Sequence, residues 1–387
     1  MKLYALKYCT KCLFPDTKPD LGLDKNGVCD ACRYAVDKKK NIDWTKRKKE
    51  LDKILEKYRS KDGKRYDCII PVSGGKDSHF QTYIIKEKYR LNPLLVAFRP
   101  REFTDLGRKN IENLKKAFGG SDMIEFTPNS DIYTKMEKVG LFELGDHSWP
   151  EHLGIFTTPI QVAVAYNIPL IIYGENSQLE YGGPASAASS AVLDQGWRRK
   201  YGGFFLDKFK PEDMTKFGVE RKHLLPFIYP SDEDIKRIGV TAIFLGYYVK
   251  WDSRKHADDM QKYGFLVHNG PTEGTYTNFE NLDNKGQGLH DYFKWIKYGY
   301  GRATDHASMD IRAGRMTRKE GLKLVKKHEG KIPEKYLCEY LKDFGLTREK
   351  FLKIVDKWTN KTLFKTDKNG KLIRDKSGNI EKIQYDN

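Results

Sequence analysis

No run of 18 apolar residues occurs anywhere in the 387-residue chain, so no transmembrane helix is expected. The opening MKLYALKYC lacks the apolar stretch of a secretion signal, which points to the cytoplasm. No block of five or more like charges marks a basic arm, and no internal repeat is present. Cysteine is scarce: there are six, four of them before position 33. Acidic residues are outnumbered, 53 against 70 Lys and Arg, for a formal net charge of +17. Such a surplus fits either a polyanionic partner or a lysine-rich surface. The scatter of lysines, as in Lys38-Lys39-Lys40 and Lys326-Lys327, favours the surface for most of them. What is there is an ordinary soluble composition, 39% hydrophobic and 32% charged, with material for two or three domains.

The early cysteines form two knuckles. Cys9-Thr10-Lys11-Cys12 and Cys29-Asp30-Ala31-Cys32 are separated by sixteen residues, with a turn at Asp24-Lys25-Asn26-Gly27. Two-residue gaps let both thiolates of a knuckle reach one ion, so the pattern predicts a closed, structural Zn2+ site on Cys9, Cys12, Cys29 and Cys32. Cys68 and Cys338 stand alone, and Cys68 reads as a buried small hydrophobe.

From there strands and helices alternate. An amphipathic helix is expected over 42–59, strands over 68–72, 94–98, 123–126 and 170–173, and helices over 77–89, 105–118 and 131–139. A further helix covers 160–166, with Pro159 in its first turn. This order implies right-handed βαβ units and a parallel α/β sheet. Ligands of such sheets bind beyond the carboxyl ends of the strands. Residues 181–203, rich in Gly, Ala and Ser, read as a mobile loop over a site. Beyond 224 the expectation is a strand over 243–249, helices over 289–295, 318–327 and 333–343, and a polar tail from 365 that is a hairpin or disordered. The division expected is 1–45 metal ribbon, 46–62 connecting helix, 63–230 nucleotide domain, 231–345 closing region and 346–387 tail.

At the end of the first strand stands Ser73-Gly74-Gly75-Lys76-Asp77-Ser78. Two glycines let the backbone turn and point N–H groups at an anion, with a helix N-terminus behind them. Asp77 follows Lys76 where a Walker A loop needs Ser or Thr, and a Rossmann fingerprint fails as well. S-G-G-x-D-S after a strand resembles the PP-loop of the N-type ATP pyrophosphatases. That resemblance implies cleavage of ATP between the α and β phosphates, adenylylation of a carbonyl oxygen, and displacement of AMP by a nucleophile. It implies contacts from Ser73, Gly74, Gly75, Lys76 and Ser78 to pyrophosphate, and adenine beside Ala97 and Phe98. Asp77 would serve as a ligand of Mg2+ or as a group that fixes the loop, and the sequence leaves both open.

The chain as a whole, over about residues 5–345, resembles the N-acetyl sugar amidotransferases of bacterial surface-glycan pathways, lipopolysaccharide or flagellin. The cysteine knuckles, SGGKDS, Gly174-Glu175-Asn176 and Lys297-Tyr298-Gly299-Tyr300-Gly301-Arg302-Ala303-Thr304-Asp305 carry this. The resemblance implies an AMP-forming enzyme that turns a sugar acetamido group, expected on an acidic sugar, into an acetamidino group. Gly174, Glu175 and Asn176 would face the nucleotide, and Arg302 and Asp305 would join Lys76 and Asp77 in catalysis. For His306, Arg312 and Arg315, a functional role and a surface role stand level. Asp146-His147 and Glu151-His152 match no metal-ligand spacing and read as surface or supporting histidines. The resemblance implies ammonia drawn from a separate glutaminase with a cyclase-like partner; in this chain no cysteine sits on a glutaminase elbow, so the ammonia is expected from outside. No membrane or nucleic-acid partner is expected. A tRNA thiolase is the rival reading, disfavoured because Cys68 and Cys338 form no reactive pair. A zinc-ribbon nucleic-acid binder would explain the charge but not the loop.

Overall fold

The structure, a computed structural model, describes residues 6–99, 101–194, 196–197 and 209–385. Five parallel strands form its centre: β1 (Cys68–Pro71), β2 (Pro93–Phe98), β3 (Met123–Phe126), β4 (Leu170–Tyr173) and β5 (Thr241–Phe244), in the order β3-β2-β1-β4-β5. β2 and β4 are apolar along their whole length and buried on both faces, as a sheet covered by helices requires. Neighbouring side chains serve opposite cores. Ile70, Leu95 and Ile172 pack towards α2 (Trp44–Tyr58), α3 (Lys76–Tyr83) and α4 (Asp105–Lys116). Ile69, Val96 and Ile171 pack on the other face, with Ile160 and Ala163 of α6 (Trp149–Tyr166). The order runs outward from β1 in both directions, so a crevice opens between the carboxyl ends of β1 and β4.

The remaining helices are α1 (Asp30–Lys40) in the cysteine module, α5 (Ser130–Leu144), and the short α7 (Ser177–Tyr181), α8 (Ala185–Ala188), α9 (Asp232–Ile238) and α10 (Leu245–Tyr248). A helical C-terminal region follows: α11 (Ser253–Met260), α12 (Gln287–Tyr298), α13 (Arg302–Ala313), α14 (Arg318–His328), α15 (Glu334–Asp343) and α16 (Arg348–Trp358). The fold is thus the α/β class expected, with its N-terminal cysteine module and helical C-terminal region.

Several boundaries differ. The helix expected over 160–166 begins at Trp149, with Pro150 in its first turn and Pro159 inside it. Pro159 removes one bond to the carbonyl of Ile155, an exposed position where water can take its place. The helix expected over 77–89 ends as α3 at Tyr83 and continues as a π-helical turn, Ile84–Lys88. The strand expected over 243–249 divides into β5 and α10, and β5 carries the sheet past residue 230. The tail forms a ladder, with antiparallel bridges Phe364 to Lys382, Thr366 to Leu372 and Arg374 to Ile380. The loop expected over 181–203 lies partly outside the described residues. Its described part packs down, with Ala187, Ala188, Leu193 and Trp197 buried and Val192 bridged to Ile243.

Candidate active site and metal centre

Val72 still donates its N–H to Val96 at 2.9 Å before the chain leaves the sheet. Gly74 then takes φ +88, and a Cβ there would stand 2.8 Å from the Ile111 backbone nitrogen, so only glycine fits. Gly75 begins α3 with no side-chain cap, which leaves the N–H groups of the first turn for an anion. The loop braces itself. The Ser73 N–H donates to Ser78 Oγ at 3.1 Å, and the Gly75 N–H donates to Ser73 Oγ at 3.4 Å. Ser73, Gly74, Gly75, Lys76, Asp77 and Ser78 all line one cavity of about 130 Å³, whose opposite wall is residues 279–283.

Lys76 is buried, with its Nζ 2.8 Å from Asp77 Oδ2 and 2.5 Å from Glu280 Oε1. Burial disfavours its charge, but the two carboxylates outweigh that and hold its pKa above the ordinary lysine value. Burial likewise opposes the Asp77 carboxylate; Lys76 and His256 overcome it and hold Asp77 down to about 2. His256 Nε2 accepts the Asp252 N–H, so the proton sits on Nδ1, which donates to Asp77 Oδ1 at 2.8 Å. The imidazole is stacked 3.7 Å over Phe80 and meets Trp251 edge-on. Both Asp77 oxygens are therefore engaged in fixing the loop.

At the end of β4, burial and the nearby Asp77 charge push the Glu175 carboxyl up to about 7. Gly174 is where Trp251 comes close, 3.1 Å from a Cβ there. Asn176 is spent on structure: its Oδ1 caps α7 and its Nδ2 donates to the carbonyls of Ala187 and Ser190. Ala97 and Phe98 lie in the core and are not among the residues lining the loop cavity; the Phe98 ring packs against Gly154, Tyr133 and Phe227.

The segment after α12 converges on the loop through Glu280. Arg302 grips Asp291 from two nitrogens, at 3.1 and 3.3 Å, and Asp305 pairs with Lys294. His306 bonds Thr275 Oγ1 at 2.7 Å, and its Nε2 lies 3.8 Å from Glu280. Burial lowers His306 to about 4, while Glu280 and Lys76 both act on its charge. Arg312 instead donates to the Glu180 carbonyl, and Arg315 joins Asp310 and Asp252. Asp146 and His147 are buried, contrary to a surface reading, and Asp146 accepts from His290 at 3.0 Å. The sequence offered no signal for His256, Glu280 or Asp291, which reach the site from distant segments.

Cys9, Cys12, Cys29 and Cys32 are buried, unbridged, and bring their sulfurs within 4.8 Å of one another. The Cys12 and Cys29 N–H groups point at Cys9 Sγ, at 3.5 and 3.3 Å, as backbone donors do around a ligating thiolate. This is a four-cysteine metal site. It is not a free-standing module. Arg318 donates to the carbonyls of Cys12 and Cys9, Leu13 N–H to Ser308, and Tyr34 to the Gly183 carbonyl.

Residues 273–376 match the family model described as the C-terminal domain of WbpG-like LPS biosynthesis proteins. Over 133 residues the chain is 30% identical to an uncharacterized protein of Methanocaldococcus jannaschii, a stretch covering 34% of this chain and 47% of that one. The chain thus spans about half the length of the curated relative it matches. Among solved structures, the U34-tRNA thiolase NcsA of Methanococcus maripaludis, with its 4Fe-4S cluster, is similar over 78% of this chain and 90% of its own, at 14% identity and TM-score 0.30. Among the described residues no helix is long and apolar enough to cross a membrane.

Proposed function

We propose that the protein is a cytoplasmic, AMP-forming amidotransferase that converts the acetamido group of a sugar into an acetamidino group, in surface-glycan synthesis. The observation that carries this is the self-braced loop Ser73–Ser78 at the crevice of the sheet, with a buried ammonium held in it by Asp77 and Glu280. The match of residues 273–376 to an LPS biosynthesis domain supports the glycan context. The acetamide oxygen attacks the α-phosphorus of ATP, the bond to the bridging oxygen breaks, and pyrophosphate leaves. Ammonia then adds at the imidate carbon, the carbon–oxygen bond breaks, and AMP leaves with the oxygen.

Lys76 neutralises charge gathering on pyrophosphate, helped by the first-turn N–H groups of α3 and the Ser73 and Ser78 hydroxyls. Asp77, held by His256, keeps the Lys76 ammonium aimed into the loop. Glu175, close to half-ionised at neutral pH, accepts a proton from incoming ammonium at the same crevice. The carboxylates of Glu280 and Asp283 line the cavity and suit a hard cation, so Mg2+ carried with the nucleotide would share the phosphate charge there, while Asp77 keeps to the loop. Four buried thiolates in a closed set suit Zn2+ in a structural role.

The decisive assay incubates the purified chain with ATP, an N-acetylated sugar and ammonium salt, and identifies products by mass spectrometry. AMP, pyrophosphate and a sugar that has exchanged O for NH are expected. Asp77→Ala and Ser73→Ala should each abolish pyrophosphate release with the circular dichroism unchanged. ADP and orthophosphate as products would overturn the assignment.

A further inference from the structure

Helix α12 buries Leu289, Phe293 and Ile296 in the core but carries a polar stripe, His290, Lys294 and Lys297, whose members are half-buried. Their spacing of four and three places them on one face. His290 reaches the turn between α5 and α6. There the Asp146 side chain accepts the Ser148 N–H at 3.0 Å and lies 3.0 Å from His290 Nδ1. Its second oxygen is 3.7 Å from His152 Nδ1, and the two imidazoles meet edge-on at 5.1 Å. Burial opposes the Asp146 charge; His290, His152 and Lys297 overcome it and hold the carboxyl far below its ordinary range. Asp146 is thus a carboxylate and can only accept. The His290 proton therefore sits on Nδ1, and Nε2, across the ring, keeps a lone pair.

A histidine that only tied α12 to this turn could be sealed on both nitrogens. This one is not. Its side chain is 20% exposed, while that of Asp146 is 5% exposed. Among the described residues Nε2 meets no hydrogen-bond partner, and it is not one of the buried atoms left without one. Two links join the pair to the phosphate loop. Arg302 is the first: its charge opposes that of His152 and is favoured by Glu280, which touches Lys76. The second runs along the cavity wall. Glu151, beside His152 on α6, accepts from Asn284 Nδ2 at 2.6 Å, and Asp283, next to Asn284, lines the loop cavity.

Resting on the reading above, we infer that His290 is a catalytic base of the first half-reaction, with Asp146 as its positioning residue. An amide oxygen is a weak nucleophile until its nitrogen gives up a proton. As the carbonyl electron pair bonds oxygen to the α-phosphorus, the amide N–H bond breaks. Its electron pair forms the C=N bond of the imidate, and the proton moves to His290 Nε2. Asp146 holds the tautomer that leaves Nε2 bare, and its charge stabilises the imidazolium that forms. When ammonia adds and AMP leaves, that proton returns to the sugar nitrogen. The amidine departs as its cation, the base is restored, and no proton is gained or lost over the two steps. Glu175 keeps the separate task of receiving the proton of incoming ammonium.

The test isolates that step by leaving ammonium out. The full chain receives MgATP, labelled pyrophosphate and, as probes, N-acetylglucosamine, N-acetylmannosamine or N-acetylmannosaminuronic acid; the sugar-dependent entry of label into ATP is followed. His290→Ala should slow this exchange by about a hundredfold with the KM for ATP within about twofold, and added imidazole should restore part of it. Asp146→Asn keeps an oxygen for the Ser148 N–H but lets an amide N–H donate to Nδ1, which moves the ring proton to Nε2. Exchange should fall comparably, again without a change in KM. Nitrogen-15 NMR of the histidine rings gives a readout that needs no turnover. The neutral His290 ring, assigned by its loss in His290→Ala, should carry its proton on Nδ1 in the unaltered chain and on Nε2 in Asp146→Asn. An Nε2–H tautomer in the unaltered chain, or exchange that ignores both substitutions, overturns the inference and leaves the amidotransferase reading standing. Neither exchange nor AMP from any probe in the unaltered chain overturns that reading and this step with it.

Discussion

At the scale of single residues, burial decides which carboxylates are charged. Glu329 accepts the Thr304 N–H, yet its burial pushes the carboxyl up to about 7 from a reference value of 4.5. A raised acid pKa means that the folded state holds a proton the unfolded chain has released. Stability is therefore full below about pH 4.5 and is lost as pH rises towards 7. The shift corresponds to about 3 kcal/mol by pH 8. Glu329→Gln removes the titration. Its melting temperature relative to the unaltered protein should climb between pH 5 and pH 8; a constant difference over that range would contradict the assignment. Asp77 is legible in the sequence as the unusual member of its loop, because a phosphate loop has little use for an acid. His256, 179 positions away, is not, since an imidazole becomes a partner only when the chain folds it onto Phe80.

At the scale of elements, the strands are the most legible. β1, β2 and β4 are short apolar runs bounded by polar turns, and their lengths follow from burial on both faces. Helix α6 is the least legible. Proline inside a helix normally marks a start, and nothing local says that the helix has already run for ten residues when Pro159 arrives. What fixes α6 is tertiary. Gly154 lets it settle on β2, because the Phe98 ring occupies the place that a Cβ would take. The same contact explains why Phe98, read from sequence as a neighbour of adenine, is packed as core. Gly154→Ala favours helix locally but forces the ring or the whole helix aside, and overpacking of this kind costs about 1–3 kcal/mol. The urea midpoint should fall accordingly. An unchanged midpoint would mean that α6 can slide, and that its fit to β2 is looser than this contact implies.

At the scale of the whole molecule, the cysteine module acts as a bracket between the chain after β4 and the C-terminal helices. Tyr34 and Lys38 hold the first, and Arg318 and Ser308 hold the second. Stripping the ion, or Cys12→Ser, should lower the melting temperature and weaken activity together, because α13, which carries Arg302, is held to the module through Ser308. Metal content by mass spectrometry alongside the melt checks this; a stripped protein with unaltered melting would show the site to be incidental. The same view of the molecule bears on nitrogen. A cysteine-type glutaminase needs a reactive thiolate, and all six cysteines are accounted for. Four belong to the metal site. Cys68 is fully buried in β1, where burial pushes its thiol far above the ordinary range. Cys338 is exposed on α15. None is placed as a nucleophile beside the loop. Free ammonia is a minor species at neutral pH, and an activated imidate left waiting returns to the acetamide through water. A docked partner that channels ammonia avoids that loss, and a net charge of +17 offers an acidic partner a surface. The purified chain should therefore turn over with high ammonium, faster as pH rises and ammonia replaces ammonium. With glutamine it should stay silent until a separate glutaminase is added. Vigorous glutamine-dependent turnover by this chain alone, abolished by Cys338→Ser, would place the nucleophile on α15 and remove the need for a partner.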